Sequence, residues 1–593
     1  MLSLILLAAA FLVSVYTYRR IRLKRFIQHA HIAQLPSSLV VGHLKVYHDI
    51  TQRGAPDRDN DHIFAEIHET LGRPPLFLLD FRPIGHVVVV IANHEIAEQI
   101  SRPSKQFRNS VPKFNLGYLE PIIGKTSILS AEGGEWRALQ KMFLPWFGHQ
   151  HLLALLPVIM DKVAIFVKQL DELATSGKEV PLVSLMMNLM YDILGAVLLD
   201  EDLDAQQLDP GRRGDFVRAY TDLLDAYWDD KLHLPWWCKI ASDRRRRRLG
   251  ERVDRILKSM ILRKHHEQHQ HQQQQNASGG MQEQKPNTDT TTKFPRHTPL
   301  LSLAPQNTNP DTISDPQPQT QTLTPDLLQK ASDQLRTFLL GGSESPSATL
   351  AWTFYELSRT PHAQSAVQAE LNTLFGPNTN ADTVHAKLIS PAGPGVLGRM
   401  TYISAVIKET LRLHTPAATA RYAGAGAGSG VNICTPSGEN VSLDGVVIYN
   451  CNPIIHRDRA VFGESAEQFR PERWLEGDAD TDADADDDRD TIGTTSGLWM
   501  KIPPSAWRGF ERGPRACIGQ EFASMTMRAV VAVVARGYEF TKVGRGALAL
   551  DAATGRPVLM ADGQYEVESE LYNIRQITAR PVDGIMVKVS RVE

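Results

Sequence analysis

One cysteine near the C-terminus has surroundings that would suit a metal ligand. Glycine, proline and arginine flank Cys517, and the apolar segment 522–534 follows shortly after. A thiolate at the N-terminus of such a helix is favoured by free N–H groups and by the positive end of the helix dipole. Gly513 and Gly519 would let the backbone approach a flat ligand closely, and Arg515 would meet a carboxylate. These features predict an axial thiolate ligand of haem iron.

The spacing around this cysteine is more specific than a lone cysteine, which is usually a small buried apolar residue. The pattern F-x-x-G-x-R-x-C-x-G is matched at every fixed position by Phe510, Gly513, Arg515, Cys517 and Gly519. It resembles the cysteine-ligand loop of the cytochrome P-450 family. The resemblance implies that Cys517 ligates haem iron and that the other four residues contribute to haem binding. The remaining cysteines are interpreted as packing residues: Cys238, Cys434 and Cys451.

A second set of residues resembles a structural charge network of the same family. Glu409 and Arg412 fall in a helical pattern over 402–413, and their spacing places them on one helix face. Such a pair alone is a common surface ion pair of little value. Arg473 lies in a P-E-R-W segment that is similar to the family's P-E-R-F/W segment. The resemblance implies that these three residues form a buried network with a structural role.

The helical pattern over 335–355 contains the polar stretch G-G-S-E-S-P at 341–346. A polar break in a buried helix costs stability unless function supports it. The stretch resembles the family's oxygen-activation motif, A/G-G-x-D/E-T-T, which implies that Glu344 and Ser345 deliver protons to dioxygen. Ser345 replaces the usual threonine and lacks the methyl group that fixes its rotamer. Pro346 removes an N–H and predicts a wider local kink.

Two further segments predict partners for the haem propionates. Trp136 resembles the tryptophan of the family's W-x-x-x-R/K helix, but Gln140 stands where the family has a base. The indole and amide N–H groups remain possible donors, whereas a cationic clamp at this position is not expected. Arg421 is a second candidate for a propionate, with a surface arginine as the alternative interpretation.

The elements that position these residues are predicted to be mostly helical. Helical patterns occur around 152–170 and 182–199, and the β-branched run 87–91 predicts a strand. The motifs occur in the family's order along the chain. The resemblance covers 36–593, outside the inserts, and implies a mainly α fold, a helical prism with small β-sheets.

Length and composition allow one large domain with insertions as well as several domains. The 593 residues carry a formal net charge of −3 and are 42% hydrophobic, which is typical of a globular protein and argues against a nucleic-acid binder. Four irregularly spaced cysteines argue against a disulfide framework or a zinc site. Low apolar content at about 265–325 and an aspartate-rich stretch at about 477–495 predict two disordered inserts.

The N-terminus predicts a membrane anchor. Residues 1–18 are uncharged and mostly apolar, and a basic linker at 19–35 follows them. The apolar run is near the lower length limit for crossing a bilayer, and a cleaved signal peptide is the alternative. Because the charges follow the apolar run, we expect an uncleaved single-pass anchor in the endoplasmic reticulum membrane with the remaining chain in the cytosol. The arginine run 244–248 is interpreted as a solvated helix face, or alternatively as a membrane-surface contact.

The resemblance implies a monooxygenase that binds haem b and uses O2. Its electrons would come from NADPH through a separate NADPH–cytochrome P-450 reductase, with cytochrome b5 as a further donor. We expect an apolar small-molecule substrate and contact with membrane lipid, but no nucleic acid. The segments 507–515 and 580–584 are similar to fungal members from polyketide or mycotoxin pathways. Two alternatives stay open: a haem-thiolate isomerase or dehydratase, which Ser345 and Pro346 motivate, and a non-catalytic haem-binding protein.

Overall fold

A computed structural model describes residues 2–114, 117–228, 236–278, 323–377, 379–424, 430–475, 502–574 and 576–592. Within these ranges the chain is mainly helical with four small sheets, so the predicted fold class is confirmed. The α-helices are α1 (Leu2–Arg22), α2 (Leu44–Thr51), α3 (Asn60–Thr70), α4 (His94–Ser101), α5 (Glu120–Ile123), α6 (Gly133–Phe143), α7 (His149–Ser176), α8 (Leu182–Leu194), α9 (Asp215–Asp225), α10 (Trp236–Ser278), α11 (Pro325–Arg359), α12 (Pro361–Phe375), α13 (Ala381–Ile389), α14 (Gly393–Gly398), α15 (Thr401–Leu413), α16 (Asn452–Ile455), α17 (Arg459–Phe462) and α18 (Gln520–Gly537).

The helical core is built around α11. This helix is apolar on several faces and is buried over most of its length, where it packs against α8, α15 and α18. The helices predicted around 152–170, 182–199 and 402–413 are confirmed as α7, α8 and α15. The expected interruption of α11 is not observed, because the helix continues through Pro346. Proline removes a single N–H, and buried residues on both sides of it hold the helix together.

The strands form two larger sheets and two hairpin-sized ones. The strand predicted at 87–91 is confirmed as β2 in the chain order that follows. The strands are β1 (Leu76–Asp80), β2 (Val87–Ile91), β3 (Val180–Pro181), β4 (Thr419–Tyr422), β5 (Asn432–Cys434), β6 (Asn440–Ser442), β7 (Val447–Asn450), β8 (Tyr538–Lys542), β9 (Asn573–Ile574), β10 (Arg580–Pro581) and β11 (Met586–Arg591). The four-stranded sheet has the order β1-β2-β7-β4, in which only β2 and β7 are parallel, and the three-stranded sheet has the order β3-β11-β8.

By length and composition, three helices in the described part of the chain could cross a membrane. Two of them, His149–Ser176 and Leu182–Leu199, pack into the core, whereas the apolar window of Leu2–Ile27 is not buried by the protein. The basic residues that we expected to form a linker from 19 to 35 continue the helix as far as Ile27. Arginine and lysine are good helix formers, which explains why the helix does not end with the apolar run.

The long helix α10 extends into the first predicted insert. It continues to Ser278, so residues 265–278 are helical, whereas we expected disorder from about 265. Glutamine and histidine are tolerated in a helix, and extending an existing helix is far easier than starting one. Residues 279–322 and the second predicted insert at 477–495 lie outside the described residues.

The arginine run in α10 divides into exposed and buried members. Arg246 is buried, donates to the Ala226 carbonyl at 3.1 Å and lies over the Tyr227 ring at 4.3 Å. The other four arginines between 244 and 248 are exposed or nearly so. Trp237, two turns before the run, is also exposed. This face of α10 therefore combines an aromatic residue with several cations.

Candidate active site

An internal cavity of about 430 Å³ lies between α11 and the loop that precedes α18. Cys517 lines this cavity, and its side chain is exposed within it. The structure therefore brings the predicted thiolate to the same space as residues from distant parts of the chain. The other predicted site residues that line the cavity are Trp136, Gln140, Ser345, Phe510, Arg515 and Gly519.

The backbone around Cys517 holds the thiol at the start of α18. The Cys517 N–H donates to the Phe510 carbonyl at 2.9 Å, and Gly519 is the residue that precedes the helix. Burial raises the pKa of the Cys517 thiol, while the Gly519 N–H and the Lys113 ammonium act in the opposite direction. The helix terminus alone thus does not favour the thiolate as we expected. A bound metal ion deprotonates a coordinating thiol, so haem iron would stabilise the thiolate that the surrounding protein groups alone do not favour.

A buried arginine joins the cysteine loop to α4. Arg508 pairs with Glu98 at 3.1 Å and with Glu511 at 2.6 Å, and it donates to the Ser101 hydroxyl at 2.5 Å. The Arg508 backbone N–H donates to His456 Nε2 at 2.8 Å. These contacts fix the loop from two sides. No motif indicated a role for this arginine, although the closely spaced opposite charges at 508–512 were a local signal for it.

The two glycines of the loop have different roles. Gly513 has a φ of +76°, and a methyl group there would overlap the Ser101 carbonyl. Gly513 is not among the cavity-lining residues, and its close contact with Ser101 packs the loop on α4. Its contribution to haem binding stays a prediction. Gly519 does line the cavity, and a methyl group there would lie 3.9 Å from the Cys517 sulfur, at ordinary contact distance.

The structure brings the predicted charge network together in the protein interior. Arg412 donates to both carboxylate oxygens of Glu409 at 2.8 and 2.9 Å, and Arg473 donates to the same carboxylate at 2.9 Å. The Trp474 indole adds a further hydrogen bond at 2.9 Å. Burial works against the charge, but the two arginines and these hydrogen bonds hold the pKa of Glu409 below its usual range. Arg412 also donates to the His456 carbonyl at 2.7 Å, which connects this network to the cysteine loop.

Several donors gather where the cavity meets α6. Arg515 donates to the Ala131 carbonyl at 2.8 Å, and its guanidinium lies 4.8 Å from the centre of the Trp136 ring. Gln140 donates to the Pro514 carbonyl at 3.3 Å. Arg421 is fully buried and is not among the cavity-lining residues. Because the side chain is fully buried, the alternative interpretation of Arg421 as a surface arginine is wrong. Its Nε and Nη2 groups have no hydrogen-bond partner in the described part of the protein.

Lys113 is a cavity residue that no sequence motif indicated. It forms a β-bridge with Arg421, and its ammonium makes no hydrogen bond or ion pair with any described residue. Burial, together with repulsion from Arg421 and Arg515, lowers its pKa to about 7. Lys113 and Arg515, which line the cavity, and the buried Arg421 offer N–H donors that fit the two propionates of a haem, and Glu132 balances part of this charge from 3.4 Å beside Arg515. A single lysine in a loop gives no sequence signal for this role.

The predicted acid and hydroxyl on α11 face different surroundings. Ser345 lines the cavity, and its hydroxyl has no hydrogen-bond partner among the described residues. Glu344 is buried outside the cavity lining and pairs with Arg580, which also donates to it through Nε at 3.1 Å. The Thr578 hydroxyl donates to Glu344 Oε2 at 2.8 Å, and Thr578 lines the cavity. Glu344 therefore reaches the cavity through Thr578, a residue that no motif indicated.

The other three cysteines differ in exposure. Cys451 is buried, as its interpretation as a packing residue requires. Cys238 and Cys434 are exposed, so that interpretation is wrong for both. Within the described residues no group of three or more His, Cys, Asp or Glu side chains is arranged to hold a metal ion.

Comparison with known proteins gives a consistent result. The family model described as Cytochrome P450 matches residues 50–548. The chain is 27% identical over 527 residues to cytochrome P450 monooxygenase acrF of Aspergillus aculeatus, covering 87% of this chain and 94% of the relative. It is 24% identical to cytochrome P450 monooxygenase polC of Polytolypa hystricis, covering 78% of this chain and 73% of that relative. A bifunctional cytochrome P450/NADPH–P450 reductase of Gibberella moniliformis is 31% identical over 216 residues, which cover 35% of this chain and 15% of the relative.

Proposed function

Since this chain belongs to the cytochrome P450 family, we propose that it oxidises an apolar small molecule in a fungal secondary-metabolite pathway. As a P450 monooxygenase it is an oxidoreductase, and its family binds haem b and uses O2 with NADPH-derived electrons. We assign electron delivery to a separate NADPH–cytochrome P-450 reductase, with cytochrome b5 as a further donor. We place the enzyme in the endoplasmic reticulum membrane, with α1 as its single-pass anchor.

The observation that carries this proposal is the Cys517 thiol, which opens into an apolar cavity that Lys113 and Arg515 also line. Cys517 would ligate the iron, and Lys113, Arg421 and Arg515 would hold the propionates. Trp136 and Gln140 would complete this end of the site. Haem with a thiolate ligand activates O2, so that one oxygen atom enters the substrate and the other leaves as water.

The residues of α11 and the C-terminal segment supply protons to the cavity. The Thr578 hydroxyl donates to the Glu344 carboxylate, so a proton that Glu344 first takes up from solvent can pass to the Thr578 oxygen while the Thr578 hydroxyl turns and releases its own proton into the cavity. Arg580 holds the Glu344 carboxylate in place from the other side. The Ser345 hydroxyl offers a second donor inside the cavity. These assignments divide the work between an acid outside the cavity and two hydroxyl groups that line it.

An apolar substrate follows from the composition of the cavity wall. Burying apolar surface is favourable by about 25 cal/mol per Å², whereas a buried polar group without a partner is costly. Most of the side chains that line the cavity can offer only such apolar contact. They include Leu152, Leu155, Leu194, Val197, Leu198 and Phe338. The two fungal monooxygenases and the resemblance of segments 507–515 and 580–584 support the pathway assignment.

Two measurements on the purified enzyme test the proposal. The reduced carbon-monoxide difference spectrum should show a thiolate ligand, and Cys517→Ala should abolish that signature. With a reductase and labelled dioxygen, a family of apolar polyketide-type compounds should yield products that contain one labelled oxygen atom. NADPH-independent turnover without label would support the isomerase or dehydratase alternative instead. Binding of haem without any turnover would support a non-catalytic protein.

A further inference from the structure

The end of the anchor helix is fastened to the catalytic domain by a buried arginine. Arg25 lies in the π-helical turn Leu23–Ile27 and pairs with Asp80 at the end of β1, at 3.3 Å. It also donates to the Val40 carbonyl at 2.7 Å and to the Arg82 carbonyl at 2.9 Å. Both partners of the ion pair are almost fully buried, so removing Asp80 would leave the Arg25 guanidinium buried without a carboxylate partner.

A second arginine strengthens the same joint. Arg82 pairs with Asp80 at 2.7 Å, and its Nη2 donates to the Lys24 carbonyl at 3.1 Å. The helix backbone and a side chain of the helix are therefore both bound to the end of β1. The residues in these contacts are more than fifty positions apart in the sequence, so the joint is formed by tertiary contacts and not by a local turn.

Gly42 makes the close approach of Arg25 possible. Its φ is +56°, and a methyl group there would overlap both the Arg25 guanidinium and the Asp80 carbonyl. Because one of these atoms belongs to the backbone, the overlap cannot be relieved by moving a side chain alone. Gly72 also has a positive φ, of +79°, but a methyl group there would meet no atom within 4 Å. The two glycines form a matched pair for experiments.

The length of the helix determines how deep in the bilayer this joint lies. Residues 2–27 form one continuous helical segment, which at 1.5 Å per residue is roughly 39 Å long. The hydrocarbon core of a bilayer is about 30 Å thick, so the last turns emerge at the level of the headgroups. Arg19, Arg20 and Lys24 lie in these turns and are exposed, as cations near anionic headgroups would be. The surface that surrounds Arg25 must then lie at the same level.

That surface exposes apolar side chains. We define the anchor collar as the exposed apolar residues next to the joint: Leu23, Phe26, Ile27, Val40 and Ile84. Val40 is 71% exposed although its own carbonyl accepts the Arg25 hydrogen bond. Such residues gain from leaving water, and the adjoining helix already leads into lipid.

We propose that Arg25 joins the anchor helix rigidly to the catalytic domain and, resting on the membrane placement of α1 in the proposed function, that the anchor collar is buried in the interface of a phospholipid bilayer. The ligand of this surface is lipid, and the joint determines which face of the domain meets it. The collar lies in parts of the chain that none of the proposed catalytic residues occupies.

Photo-crosslinking in nanodiscs of phosphatidylcholine and phosphatidylserine tests this surface with the full-length haem protein. A photoreactive phenylalanine derivative replaces Val40, Ile84 or, as a control, the exposed residue Leu559. After illumination, mass spectrometry measures the fraction of protein that carries a lipid adduct. We expect abundant adducts at positions 40 and 84 and several-fold fewer at 559. Equal yields at all three positions, or none at 40 and 84, would overturn the collar.

The role of the joint is tested by combining the probe at position 84 with a glycine substitution. Gly42→Ala should lower the adduct yield several-fold, whereas Gly72→Ala should leave it unchanged. The carbon-monoxide difference spectrum of both variants should keep its thiolate signature, which shows that the catalytic domain is folded. An unchanged adduct yield in Gly42→Ala would show that the joint does not orient the domain.

Discussion

The Lys113 ammonium has a setting that differs strongly from that of a surface lysine. It lines the cavity, carries no hydrogen bond or ion pair with a described residue and lies among the charges of Arg421 and Arg515. A dianionic cofactor edge would relieve this repulsion, because charge-assisted hydrogen bonds are stronger than neutral ones. Such a ligand would therefore supply the Lys113 ammonium with a counter-charge that no described side chain gives it at ion-pair distance.

Replacing Lys113 should weaken the retention of haem. Lys113→Met removes a charged hydrogen bond of about 1.5–3 kcal/mol, so we expect haem to dissociate at least about tenfold faster. Transfer of haem to an excess of apomyoglobin measures this rate. Lys113→Arg should stay near the wild-type rate, and so should Lys125→Met, which changes an exposed lysine in the same region. A wild-type rate in Lys113→Met would remove this residue from the site.

Thr578 makes a second residue-level prediction. Thr578→Val keeps the shape of the side chain but removes the hydroxyl that connects Glu344 to the cavity. Product formed per NADPH should fall by at least about tenfold, because general acid catalysis typically contributes about 10²–10⁴ to a rate, and peroxide should rise in its place. The solvent isotope effect on turnover should rise as well.

Thr578→Ser retains the hydroxyl and should restore the coupling of NADPH use to product formation. If Thr578→Val remained fully coupled, the Ser345 hydroxyl alone would be sufficient for proton delivery.

At the scale of elements, the sequence predicted those parts of the site whose residues lie close together within one turn or one helix. The spacing around Cys517 and the pair Glu409 and Arg412 were readable because each motif lies within one turn or one helix. Lys113 and Thr578 were not, because each reaches the cavity through tertiary contacts of a loop without a characteristic pattern. The uninterrupted α11 shows a related limit: burial on both sides of Pro346 outweighed the local preference for a break.

The packing of α3 against β7 and α16 gives a pH-dependent prediction. Asp61 accepts a hydrogen bond from the Tyr449 hydroxyl at 2.7 Å, and Cys451 lies 3.6 Å from the same oxygen. Burial, with repulsion from Asp59, raises the pKa of Asp61 from 3.8 to about 7. The folded protein therefore favours the protonated acid, and this contribution is complete below about pH 4 and is lost as the pH rises toward 7.

Asp61→Asn should remove this loss, since the amide stays neutral. Thermal unfolding midpoints of the two proteins should agree near pH 4 and separate at pH 8, with the variant the more stable by on the order of 4 kcal/mol. Because other groups titrate equally in both proteins, the difference reports on Asp61. A constant difference across this range would contradict the assignment.

At the scale of the whole molecule, two truncations separate the anchor from its joint. Deleting residues 2–18 should release most of the protein from membranes while Arg25 and its contacts remain. Deleting residues 2–27 removes Arg25 as well, so that Arg82 remains as the ion-pair partner of Asp80. We expect the longer deletion to lower stability by about 1–3 kcal/mol relative to the shorter one. Thermal midpoints and flotation with liposomes measure the two effects, and identical midpoints would show that Arg25 contributes nothing to the fold.

The joint at Arg25 has a consequence for the membranes in which the enzyme works. A helix whose apolar length does not match the local hydrocarbon thickness adapts by tilting. If a flexible tether followed the helix, the catalytic domain would not sense that tilt. With Arg25 fixed to the end of β1, each change of tilt turns the domain by the same angle. Bilayer thickness thereby becomes a variable that orients the cavity relative to the lipid in which its substrates dissolve.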